Sequence, residues 1–84
     1  MDELEKLRKQ IDLIDLKLIG LLNQRFKIAL KIRDYKQKKK LRIKDSHREK
    51  SVISKVNKNS TEEIRKYNVD IFKKIMNHSR KIQK

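Results

Sequence analysis

Eight residues carry the polar chemistry this chain can offer: Arg8, Arg25 and Lys36, then Asp45, Arg48 and Glu49, then Ser79 and Gln83. They supply cations, two carboxylates, a hydroxyl and a neutral amide. None of them forms the nucleophile–base pair that covalent catalysis needs. His47 and His78 have no neighbours at metal-ligand spacing. With no cysteine there is no disulfide and no thiolate metal site. A pocket built from such groups would bind a small dicarboxylate and stabilise charge.

Arg25 is the residue that most needs an explanation. It interrupts the series Leu4, Leu7, Ile11, Ile14, Leu18, Leu21, Arg25, Ile28, Ile32, Tyr35. The spacing alternates three and four, the heptad rule for one stripe of a long helix. A guanidinium does not deprotonate in a protein, so at a seam position it requires a negative partner. A carboxylate such as Asp15 or Glu49 across a dimer could supply it, and so could a ligand. Lys36 lies eleven residues after Arg25, so the two share a face about 16 Å apart along the axis. Arg8 lies seventeen residues before Arg25, roughly 25 Å away, and joins it only from a second, antiparallel copy. Asp45 to Glu49 begins a helix, where free backbone N–H groups bind anions or hydroxyls. Asp45 and Glu49 also suit helix capping, and Ser79 suits close packing. Asp12 and Asp15 are expected to face solvent or nearby cations.

Three helices position these residues. The first is expected over about residues 2–39, with Asp2 as N-cap and the Lys38–Lys40 run at its C-terminal end. The second is expected over about residues 46–57, opened by a Ser46–Glu49 capping box, given an apolar face by Val52, Ile53 and Val56, and ended by residues 57–59. The third is expected over about residues 61–83, opened by a Ser60–Glu63 capping box, with Ile64, Tyr67, Ile71, Phe72, Ile75, Met76 and Ser79 on one face. No strand pattern appears. The first helix would be roughly 55 Å long, against a compact domain roughly 30 Å across. Its seam therefore calls for a second copy, and an intertwined homodimer is the expectation.

The 84 residues suffice for one small domain, 1–84. Lys and Arg number 25 against 11 Asp and Glu, a net +14. That excess favours anionic partners, although a Lys-, Asn- and Ile-rich composition also follows from genome base composition. There is no apolar run of membrane-spanning length and no signal-peptide pattern, so a soluble cytoplasmic protein is expected.

The chain resembles the all-helical, AroQ-type chorismate mutases over essentially its whole length. The resemblance rests on Leu7-Arg8, Ile11-Asp12 and Ile14-Asp15, on Leu21-Leu22 with Arg25, and on Lys36. It continues in Asp45 with Arg48-Glu49, and in Ile71-Phe72, Ser79 and Gln83. It implies a domain-swapped, all-α dimer with two sites, no cofactor or metal, and the Claisen rearrangement of chorismate to prephenate on the branch to phenylalanine and tyrosine. Arg8 of the other copy and Arg25 would hold the two substrate carboxylates, supported by Arg48, with Ser79 lining that end. Lys36 and Gln83 would donate to the ether oxygen. Glu49 and the backbone at Asp45 would bind the ring hydroxyl.

Three other readings exist. An isochorismate pyruvate lyase would use a similar cationic pocket on the same fold. A nucleic-acid-binding dimer would fit the charge. Against it, Phe26, Tyr35, Tyr67 and Phe72 mostly sit in apolar stripes, and no helix-turn-helix signal appears. A plain coiled-coil module explains the heptads but not Arg25.

Overall fold

The computed structural model describes residues 2–84. The described chain is all-α, with three helices: α1 over Glu3–Lys39, α2 over Ser46–Asn59 and α3 over Arg65–Gln83. No helix among the described residues is long and apolar enough to cross a membrane.

Both ends of α1 follow from its sequence. The Asp2 carboxylate accepts from the Glu5 backbone N–H at 2.8 Å, and Glu3 and Glu5 complement the positive end of the dipole. At the other end Lys40 adopts a left-handed conformation at φ 56°. There the Leu41 N–H reaches the Lys36 carbonyl at 2.8 Å and closes the last turn. Gly20 falls inside α1 with nothing close to its missing Cβ, so the surrounding pattern carries the helix past it.

The other two helices correct the capping expectations. Asp45, not Ser46, caps α2: its carboxylate accepts from the Arg48 N–H at 3.0 Å, and Glu49 turns away toward α3. The second helix ends within the expected 57–59, but the start of the third helix, expected at about 61, is displaced. The second helix runs to Asn59, residues 61–64 form a turn, and Ile64 precedes α3 with no side-chain cap. The reason is competition for the orphan carbonyls at the end of α2. The Ser60 hydroxyl donates back to the Val56 carbonyl at 2.5 Å instead of opening a Ser60–Glu63 capping box. Arg65 donates to the carbonyls of Asn57 at 2.9 Å and Ser60 at 3.1 Å.

α3 is the keystone. It packs on α1 and on α2, while α1 and α2 do not pack on each other. The core is small: Val52, Val56 and Met76 are buried, with Ile53, Val69 and Phe72 against them. The long axis measures 56 Å, the length of α1, and the radius of gyration is 16.2 Å. A compact chain of this size would have a radius of about 12 Å.

The heptad seam is bare within the chain. Its nine apolar members are each between 42% and 61% exposed. The face of α1 turned inward is a different stripe, with Leu22, Phe26 and Arg33 half-buried and Ala29 buried. Arg25 lies where stripe and seam meet, and is itself half-buried. Leu13, Leu16 and Ile19 widen the exposed apolar surface beyond the seam.

Candidate active site

Because α3 holds α1 and α2 apart, a cleft of about 380 Å³ opens between them. Arg25, Ile28, Ala29, Ile32 and Lys36 from α1 form one wall. Asp45, Arg48, Glu49 and Val52 form the other, and Met76, Ser79, Arg80 and Gln83 of α3 form the floor. Ile43 closes one end from the connecting loop. The C-terminal part of the seam, at Ile28 and Ile32, is thus cleft wall, while the part before Arg25 has nothing on it.

Seven of the eight residues singled out by sequence meet here: Arg25, Lys36, Asp45, Arg48, Glu49, Ser79 and Gln83. The eighth, Arg8, is exposed on α1 and does not line the cleft.

The hydrogen bonds give each group an orientation. Arg25 Nη1 donates to Ser79 Oγ at 2.9 Å, and Ser79 donates to the Ile75 carbonyl at 3.0 Å. Among the described residues no ion pair includes Arg25. Burial, and then the like charge of Arg48, lower the pKa of Arg25 below its ordinary value. The seam cation is thus held by a neutral hydroxyl and faces a second cation. Glu49, one of the carboxylates that could have neutralised it, is committed to Arg80 at 2.5 Å.

Lys36 donates to the Ile43 carbonyl at 2.6 Å, which anchors the ammonium and leaves two of its three N–H donors. Gln83 is the last residue of α3 yet only 8% exposed. Its Oε1 is buried without a hydrogen-bond partner. Such an orphan costs about 1–3 kcal/mol. The cleft wall has four cations, Arg25, Lys36, Arg48 and Arg80, against two carboxylates, Asp45 and Glu49. The excess of two positive charges in a partly apolar cleft suits a small dianion. Among the described residues no cluster of His, Asp or Glu could hold a metal ion.

Arg80 was not legible as a site residue. It follows Met76 by one turn and precedes Gln83 by three residues, which places it on the cleft side of α3. Its partner Glu49 lies 31 positions away, so nothing local marks the pair. Ile43, Ala29 and Val52 were likewise missed as lining residues.

The sequence profile of the family described as chorismate mutase type II matches residues 7–84. A relative from Aquifex aeolicus (strain VF5), the bifunctional chorismate mutase/prephenate dehydratase, is 43% identical over 56 residues. That match covers 67% of this chain and 16% of the relative, so the chain corresponds to a small part of that protein's length. No solved structure matches significantly. The profile covers most of α1, all of α2 and α3 and every residue of the cleft, and the chain belongs to the chorismate mutase type II family.

Proposed function

We propose that the chain converts chorismate to prephenate within this cleft, as one of two equivalent sites in a homodimer. The observation that carries the reading is Arg25: a half-buried guanidinium without a protein carboxylate, turned into a cleft with two surplus positive charges.

The reaction is a unimolecular rearrangement in which the ether C–O bond breaks as a C–C bond forms, with no proton transferred. The chain's residues hold the substrate in its compact, near-attack conformer. Arg25, anchored by Ser79, binds one carboxylate, with Arg48 adding positive field. The free donors of Lys36 and the amide of Gln83 point to the ether oxygen and stabilise the charge growing there. Glu49 and the backbone at Asp45 take the ring hydroxyl.

The second carboxylate falls to Arg8 of the other copy. Arg8 stands on the part of α1 whose apolar seam is bare. Covering that seam with a second, antiparallel α1 would carry Arg8 toward the partner's cleft.

The test is direct. Purified protein is mixed with chorismate, and substrate loss and prephenate appearance are followed, in parallel with an isochorismate assay. Prephenate from chorismate is the expected result. Pyruvate release from isochorismate with no prephenate would reassign the cleft to a lyase. No turnover of either, together with steeply salt-dependent DNA binding, would overturn the enzyme reading.

A further inference from the structure

The Glu49–Arg80 pair joins α2 to α3. The other two ion pairs among the described residues each lie within one helix. Both partners are largely withdrawn from solvent, with side chains 24% and 27% exposed. Both line the cleft, and both also line a second, open groove on the outer side of α2 and α3. The bridge, together with Met76, which also lines both, therefore separates the two spaces. Lys44 and Lys50 lie along that outer groove. A Glu49 side chain released from Arg80 would have these cations to turn toward, away from the cleft. Arg80 is in turn steadied by Asn77, whose Oδ1 accepts from Nη2 at 3.4 Å.

We infer that Arg80 is a positioning residue: its bridge to Glu49 keeps that carboxylate facing the cleft, with Oε2 occupied and Oε1 left as the acceptor for the substrate's ring hydroxyl. The relay runs from Asn77 through Arg80 to Glu49. Only Glu49 touches substrate. This rests on the mutase reading, since it is the ring hydroxyl that Glu49 would receive. An acceptor that binds ground and transition states alike acts on KM, not on kcat. A misplaced Glu49 should therefore weaken substrate binding and leave the chemical step nearly intact.

The experiment compares steady-state turnover of chorismate by the wild type, Arg80→Gln, Arg80→Lys, Glu49→Gln and the Arg80→Gln/Glu49→Gln pair. Thermal melting and sedimentation check assembly of each. Wild-type turnover is read first, and its absence removes the mutase reading and this inference with it. Given turnover, Arg80→Gln should raise KM roughly tenfold with kcat within about threefold. Arg80→Lys should recover most of the loss. In the Glu49→Gln background the Arg80 effect should vanish, because a residue that acts through another is not additive with it. An Arg80→Gln loss that persists undiminished without Glu49, or that falls mainly on kcat, overturns the inference and leaves the mutase reading standing. Should Arg80→Gln fail to assemble, Asn77→Ala loosens the same bridge from outside the cleft. It should raise KM by a smaller factor that also disappears in the Glu49→Gln background, and persistence there overturns the inference equally.

Discussion

Arg25 in α1 donates to Ser79 in α3 across 2.9 Å, and the same hydroxyl donates back to the Ile75 carbonyl of its own helix. A permanent cation is thus pinned by a neutral group across the helix–helix junction. The hydroxyl fixes its direction without cancelling its charge. The charge remains available for an anion, and the protein bears the cost of holding it there.

That cost should be measurable. Arg25 has its pKa lowered in the folded chain, so folding disfavours its charged form. For a base, the stability lost this way is lost wherever the group is protonated. Arginine stays protonated across about pH 5 to 9, so the penalty should be flat over that range. Arg25→Leu completes the apolar seam and should raise stability by about 1 kcal/mol while reducing kcat/KM by roughly 10³-fold. Thermal or urea melts beside turnover check both halves. A variant that is less stable and still active contradicts the account.

Lys36 is anchored by the Ile43 carbonyl at 2.6 Å, so its remaining donors have a fixed direction. Replacing it by Ala should lower kcat by roughly 10²-fold or more, the scale of a lost preorganised donor, with a smaller change in KM. Near-wild-type kcat in that variant would exclude Lys36 from charge stabilisation.

Arg8 and Arg25 are on one helix but, in the proposed dimer, serve different sites. Arg8→Ala and Arg25→Ala homodimers should each be nearly inactive. Unfolding and refolding them together should restore activity to about a quarter of wild type. Half the dimers then pair unlike chains, and each of those has one intact site. Mixtures no more active than their components would place both arginines in the same subunit's site, or remove Arg8 from it.

Ionic strength provides a further check. Surplus positive charge in the cleft and on the chain as a whole should steer a dianion inward. If association limits turnover, kcat/KM should fall several-fold between about 0.01 and 0.3 M salt while kcat changes little. A kcat/KM independent of salt would show that capture is not electrostatically assisted.

Lys40 tests the fold rather than the site. It ends α1 at φ 56°, a conformation costly for a residue with a Cβ. Lys40→Gly should stabilise the chain by about 0.5–1 kcal/mol and leave turnover within about twofold. Equal or lower melting temperature would show that the unfolded chain's gain in freedom outweighs the relief of strain.

The sequence by itself determined that there are three helices, the extent of α1 and most of the polar residues that meet in the cleft. Period and caps are local properties, so the three-and-four spacing and Asp2 were enough to define α1. The polar residues that would meet could be named because each broke or bordered an apolar pattern. Tertiary structure decided what those residues face. Whether Ser60 opens α3 or closes α2 depends on which orphan backbone groups lie nearest, and Val56 and Asn68 engage its hydroxyl first. Whether Glu49 caps its own helix or reaches another depended on Arg80, 31 positions away. The seam itself read as one continuous stripe, and packing divided it. At Arg25, Ile28 and Ile32 it borders the cleft, because α3 holds α2 away from α1. Before Arg25 it lies bare, because nothing in a single chain is long enough to cover a 37-residue helix.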